Sequence, residues 1–199
     1  VDTDFSKDGR WFAIGQDNRT VDIYETKTWT LTYTMKPDEG WCGGCGSYVT
    51  FSPNSQYLTK FSNGGSMEEY RLIDGELHHS YMGEVGEISA LAYNKDGSLL
   101  LSANEDSVRV FDTKQRVLVN TINPEVVSIN KVVFTPDSSS VLVGGNDNKA
   151  TLWDLFDNTK KGEFSGIVNQ INKGGLNYDP DNYWESYIAK YIKYENNVL

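Results

Sequence analysis

Four times in this chain an aromatic-led hydrophobic segment runs into a short polar turn, at nearly constant spacing. The turns are Phe5-Ser6-Lys7-Asp8-Gly9, Phe51-Ser52-Pro53-Asn54-Ser55, Tyr93-Asn94-Lys95-Asp96-Gly97 and Phe134-Thr135-Pro136-Asp137-Ser138. Their leading aromatics lie 46, 42 and 41 residues apart. A second marker keeps the beat: Ile23-Tyr24-Glu25, Glu69-Tyr70-Arg71, Val110-Phe111-Asp112 and Leu152-Trp153-Asp154, spaced 46, 41 and 42. Two independent markers with one period mean that a unit of about forty residues has been copied, and that period indicates a repeat architecture.

The third unit reads most cleanly. Residues 88–93 alternate into the turn at Asn94. Ser98 to Ala103 is a continuous apolar run, the pattern of a strand covered on both faces. Ser107 to Asp112 alternates polar and apolar, as a half-buried strand does. Arg116 to Ile122 is expected as a fourth, more polar outer strand. Unit one repeats the order with strands at 1–5, 11–15, 20–24 and 29–34. Unit four does so at 130–134, 141–145 and 150–153, with a weak last strand near Phe164. Unit two fits least well, because Ser66 to Arg71 is charged where its counterparts are apolar.

Four antiparallel strands per forty-odd residues make one blade of a β-propeller, so the fold expected is all-β, with blades at about 1–40, 41–86, 87–128 and 129–165. An ordinary β-sandwich would need the doubled periodicity to be coincidence.

Val108 to Asp112 and Ala150 to Asp154 resemble the signature end of the WD repeat. Phe134-Thr135-Pro136-Asp137 and Phe51-Ser52-Pro53-Asn54 resemble that family's turn between its first two strands. The resemblance covers residues 1 to roughly 165. It implies a propeller of seven or eight blades, of which these four would be part. Tyr24, Phe111 and Trp153 take the structural aromatic position, and Asp147 matches the family's Asp in the turn after the second strand. The family's Gly-His pair before each first strand is missing. Its buried network of His, Asp, hydroxyl and Trp therefore cannot close as usual, and these blades are expected to lean more on packing.

Residues 166–199 break the beat. Asp179-Pro180-Asp181 reads as a helix start. Trp184, Tyr187, Ile188, Tyr191 and Ile192 then step along one face of an amphipathic helix expected over about 181–195. That face either caps the propeller or docks in a partner's groove. The chain opens on Val1 rather than Met, and is expected to be a piece of a longer protein. A missing segment or a second chain would then close the ring.

Net charge is −10 and the basic residues are scattered, which disfavours nucleic acid and anionic membrane surfaces. No apolar run is long enough for a transmembrane helix, and no leader pattern is seen, so the expected setting is cytoplasmic, cytoskeletal or within a large intracellular assembly. Cys42 and Cys45 have zinc-ligand spacing, but they are the chain's two cysteines and a structural site wants four ligands. His78 and His79 could add to them only if adjacent strand positions did not point to opposite faces. Neither metal nor cofactor is expected. No nucleophile and base share a motif, and the carboxylates fall mostly in turns, so no enzyme is expected either.

What remains is surface. The turns between second and third strands and the links between blades should gather on one face. That face would carry Gln16, Asp17, Trp41, Tyr48, Asn63, Glu105, Asp106, Asn146 and Asp147, with Gln16, Trp41, Tyr48, Glu105 and Asn146 as the partner-binding set. Acidic and aromatic groups suit a basic or aromatic peptide. Trp184, Tyr187, Ile188 and Tyr191 would form the second contact. The function expected is a protein–protein interaction scaffold; the alternative is a fixed architectural subunit of a large assembly.

Overall fold

The computed structural model describes residues 2–16, 20–36, 47–62, 66–82, 88–126, 128–147 and 149–165. The described residues form sixteen strands in four sheets, each a four-stranded antiparallel meander in chain order. Blade 1 holds β1 (Asp2–Phe5), β2 (Trp11–Gly15), β3 (Val21–Glu25) and β4 (Thr30–Met35). Blade 2 holds β5 (Val49–Phe51), β6 (Tyr57–Ser62), β7 (Ser66–Arg71) and β8 (Leu77–Met82). Blade 3 holds β9 (Ala90–Tyr93), β10 (Leu99–Ala103), β11 (Val108–Asp112) and β12 (Val117–Ile122). Blade 4 holds β13 (Ile129–Phe134), β14 (Ser140–Gly145), β15 (Lys149–Asp154) and β16 (Lys160–Ser165). The first strands of successive blades lie side by side, β1 by β5, β5 by β9 and β9 by β13. These are consecutive blades of a β-propeller. The expected tail helix lies outside the described residues.

The copied turn has a copied cause. In blade 1 the Ser6 hydroxyl donates to Asp8 (2.6 Å) and accepts from the Trp11 amide (2.8 Å). Ser52 does the same with Asn54 and Tyr57, and Thr135 with Asp137 and Ser140. In blade 3 the Asn94 carboxamide accepts from the Leu99 amide. The fourth turn residue is left-handed every time: Gly9, Ser55, Gly97 and Ser138. A short polar side chain thus fixes each reversal. These contacts hold the Asp96 and Asp137 carboxyls below the ordinary range, through Ser98 and Thr135 respectively.

Two further features repeat that the sequence did not display. The hairpin into each outer strand carries a left-handed residue, at Trp29, Gly75, Arg116 and Asn158. Each outer strand then skips one residue in its pairing, at Thr32, His78, Val119 and Lys161. Both series keep the intervals of the Tyr24 marker. The bulge adds local twist to an outer edge, one way of guarding it against unwanted pairing.

The core sits in three seams between blades. Ala13, Val21 and Ile23 meet Val49, Phe51 and Leu58 between blades 1 and 2. Met67 and Tyr81 meet Ile88, Leu100 and Phe111 between blades 2 and 3. Leu101, Val108 and Val110 meet Val132, Val141, Val143 and Trp153 between blades 3 and 4. Leu100 to Ala103 is fully covered, as the apolar run predicts, because its alternate side chains enter two different seams. Burying each such aliphatic or Phe side chain is worth about 1.5–3 kcal/mol. Polar ties reinforce the seams. Asp2 and Asp4 accept backbone hydrogen bonds from Val49 (2.9 Å) and Phe51 (2.7 Å), so carboxylates stand in for a ladder between two inner strands. Gly15 is required where blades 1 and 2 meet, since a Cβ there would lie 2.2 Å from the Ser47 carbonyl oxygen.

The charged third strand of blade 2 is accommodated on both faces. Glu68 faces blade 1, paired with Lys60 at 2.7 Å and accepting from the Tyr70 hydroxyl at 2.7 Å. Glu69 faces blade 3 and accepts from the Tyr93 hydroxyl at 2.8 Å. The aromatic and the residue two before it play the same game in blade 4, where the Trp153 indole donates to Thr151 at 2.9 Å. One leg of the hydrogen-bond network thus persists in blade 4 without the missing His.

Candidate functional site

The β10–β11 turn and the links entering blades 2, 3 and 4 border an open cavity of about 750 Å³. Tyr48, Asn104, Glu105, Asp106, Asn123 and Ser128 line it. Its floor is rigid for local reasons. The Asn104 carboxamide oxygen accepts from the Asp106 amide (3.2 Å), the Ser107 amide (2.8 Å) and the Ser107 hydroxyl (2.9 Å), an Asx-type turn. The Glu105 carbonyl accepts from the Ile129 amide across the seam, leaving its side chain and that of Asp106 exposed. Tyr48 packs on the seam between blades 2 and 3 and presents its edge to the same space. The cavity therefore offers two carboxylates, the Arg109 guanidinium and an aromatic wall, a lining that suits a polar, amide-bearing side chain more than a bare cation.

Of the residues expected on this face, Tyr48, Glu105 and Asp106 come together. Gln16 and Asn146 occupy corresponding turns of blades 1 and 4, away from that cavity. The Gln16 carboxamide donates to Asp22 (2.5 Å) and Asn146 accepts from Asn130 (2.9 Å). Asp147 accepts from the Lys149 amide (3.2 Å) within its own turn. Tyr24 lies on the outer face of blade 1 against Phe12, while Phe111 and Trp153 are buried in seams. Asp17, Trp41, Asn63, Cys42 and Cys45 lie outside the described residues, as do Trp184, Tyr187, Ile188 and Tyr191.

Two groves of contact on the opposite edge escaped the sequence reading. One groove of about 390 Å³ between blades 1 and 2 is walled by Trp11, Tyr33, Leu72 and Ile73. Another of about 320 Å³ between blades 2 and 3 is lined by Tyr57, Glu69, His78 and Arg116. The expectation that His78 and His79 point to opposite faces is overturned. The bulge at His78 turns its ring toward blade 3, the side that Glu69 and His79 already face. The outer strand of blade 3 also differs from its expected polar character: Val117, Leu118 and Val119 are all exposed. Their hydropathy was legible, but it conflicted with an outermost position. Among the described residues no group of three or more His, Cys, Asp or Glu could hold a metal ion.

Residues 75–112 and 117–154 match the family described as WD40, "WD domain, G-beta repeat". Each match starts at an outer strand and ends with the third strand of the next blade, so the sequence repeat is offset by one strand from the structural blade. The chain is 28% identical over 142 residues to "COMPASS component SWD3" of Saccharomyces cerevisiae, covering 71% of this chain and 44% of the relative. It is 25% identical over 159 residues to "Pre-mRNA-splicing factor cwf17" of Schizosaccharomyces pombe, covering 77% and 45%. It is 25% identical over 155 residues to "WD repeat-containing protein slp1" of the same yeast, covering 75% and 30%. The chain thus spans less than half the length of these relatives.

Proposed function

We propose that this chain, which belongs to the WD-repeat family, is a non-catalytic scaffold that holds other proteins through its loop face. The observation carrying this is the cavity where Tyr48, Glu105 and Asp106 converge on a floor fixed by Asn104. Charge −10 and the aromatic wall favour a basic or aromatic peptide segment. Gln16, Trp41 and Asn146 would extend the contact over neighbouring turns, and the helix expected over 181–195 would add Trp184, Tyr187, Ile188 and Tyr191. Pull-down from the cognate lysate tests it. Glu105→Lys with Asp106→Lys, both exposed, should lose partners the intact chain retains, without a change in thermal unfolding. Equal recovery by both would refute the loop face as the contact.

The second reading, a fixed subunit of a large assembly, draws support from relatives named for a complex component and a splicing factor. Removing residues 166–199 separates the two. Loss of one exchangeable partner favours the scaffold, and collapse of the chain itself favours the architectural role. The splicing-factor relative also makes a nuclear setting a direct competitor of the cytoplasmic one, and imaging of the tagged chain decides between them.

We further propose that another blade covers the outer face of blade 1. Phe12 and Tyr24 hold positions whose counterparts, Leu58 and Tyr70, Leu100 and Phe111, Val141 and Trp153, all enter seams. Beside them Phe5 is 55% exposed and Trp29 61%. That blade would come from another segment or from a second chain; the mass of the purified chain in solution distinguishes them.

A further inference from the structure

The chain has two histidines, and both meet one residue of the neighbouring blade. The Arg116 guanidinium lies 2.5 Å from His78 Nε2, and the Arg116 charge also acts on the His79 ring. Arg116 sits at the left-handed position of the β11–β12 hairpin, with φ 62, where the equivalent hairpin of blade 2 has Gly75. A non-glycine residue there is strained, and the contact from His78 of blade 2 holds it.

His78 Nε2 has a second neighbour, Glu69 Oε1 at 4.0 Å. A neutral imidazole can accept the guanidinium proton only through an unprotonated Nε2. Once that nitrogen is protonated it cannot accept. It becomes a donor directed at Glu69, and like charge then opposes Arg116. One nitrogen thus serves the next blade when neutral and its own sheet when charged.

We propose that His78 and His79 form a pH-sensitive latch that holds the β11–β12 hairpin of blade 3 against blade 2. Around the two rings stand Glu69, Tyr57 and Tyr81 from blade 2. Blade 3 contributes Tyr93, Asp96, Asp112, Lys114 and Arg116. Glu69 is the carboxylate engaged, buried and already accepting from Tyr93 and Tyr81. Lys114 adds to the repulsion of a charged His78. Burial, then the Arg116 charge, pushes the titration of His79 down, and its buried Nε2 has no hydrogen-bond partner. His78, whose Nε2 stands between the guanidinium and Glu69, is the group that releases the latch, and His79 is the second ring at the same contact.

Hydrogen exchange of the full chain tests this, read by mass spectrometry on the segment 113–119 and corrected for intrinsic exchange. Between about pH 7.5 and about pH 5 its protection should fall roughly fivefold, while β14 in blade 4 stays level. His78→Gln keeps a neutral acceptor and should hold the segment at the high-pH level throughout. Arg116→Gly suits the left-handed turn but removes the guanidinium that His78 holds, and should give a flat profile at the low-pH level. A flat wild-type profile overturns the latch, as does an undiminished pH response in Arg116→Gly. The latter decides the matter if His78→Gln does not fold.

Discussion

Lys60 and Glu68 face each other across β6 and β7 with 2.7 Å between ammonium and carboxylate, their side chains 2% and 8% exposed. The pair occupies the positions that Val143 and Thr151 hold in blade 4. It is an ionic solution to a site that blade 4 fills with an apolar and a hydroxyl group, and that blades 1 and 3 fill with Ile14 and Asp22 and with Ser102 and Arg109. Desolvating two charges offsets most of their attraction, so such a pair adds little net stability over a well-packed apolar one. It is costly to break from one side.

Lys60→Met alone should destabilise the chain by about 3–5 kcal/mol, because Glu68 is left charged and covered. The double variant Lys60→Met, Glu68→Leu should recover most of that loss. Urea unfolding of the three proteins measures it. A double variant no better than the single would show that blade 2 needs the charges themselves.

The hairpin series yields a signed pair of substitutions. Gly75 has φ 73, and a Cβ there would lie 2.7 Å from the Tyr33 ring of blade 1. Gly75→Ala should cost about 1–3 kcal/mol, through left-handed backbone strain and displacement of Tyr33. Ser138 has φ 58 in an exposed turn. Ser138→Gly should raise stability by about 0.5–1 kcal/mol, since it removes the strain. Thermal unfolding gives both signs, and a destabilised Ser138→Gly would contradict the turn account.

Period and pattern made the four sheets legible, because an aromatic, a capped turn and an alternating strand each report a local rule. Strand ends differed by a residue or two, as at β9, which starts at Ala90 and not Ile88. What the sequence could not display depends on pairing. The bulge that turns His78 toward blade 3 arises from a register skip between Glu69 and Tyr70. The charges at Glu68 and Glu69 read as a misfit because their partners, Lys60 and Tyr93, come from another strand and another blade. The loop face was legible only in part. Tyr48 and Glu105 belong to different blades that fold close together, whereas Gln16 and Asn146 are claimed by their own neighbours, Asp22 and Asn130.

Blade 4 should be the acid-sensitive part of the structure. The Lys161 ammonium, with the Phe156 and Asp157 amides, holds the Asp154 carboxyl at about 2. Lys160 and then Lys149 hold Glu163 at about 2. Both lie below the ordinary values of 3.8 and 4.5. Their contribution is therefore complete above the ordinary values and is lost as pH falls toward about 2. Salt should weaken it, since these groups are solvent-exposed. Acid titration followed by hydrogen exchange in β15 and β16 should show a loss between about pH 4.5 and about pH 2 that Asp154→Asn reduces. An identical acid profile in that variant would remove Asp154 from the account.

Leu100→Asp is the most direct test of the seam architecture. Leu100 is 0% exposed and packs with Met67, Tyr81 and Phe111 between blades 2 and 3. A carboxylate there has Tyr and apolar neighbours but no cation placed to pair with it among the residues of that cluster. The loss of the leucine alone should cost about 2–5 kcal/mol, and the buried charge adds to it. That sum approaches the whole stability of an ordinary domain, about 5–15 kcal/mol, so the variant should unfold blades 2 and 3 at ambient temperature. Leu118→Asp, on the exposed outer strand of the same blade, should stay within about 0.5 kcal/mol of the parent. Circular dichroism and urea unfolding of the two variants distinguish a seam from a free edge, and equal effects would mean that the blades do not pack on one another as described.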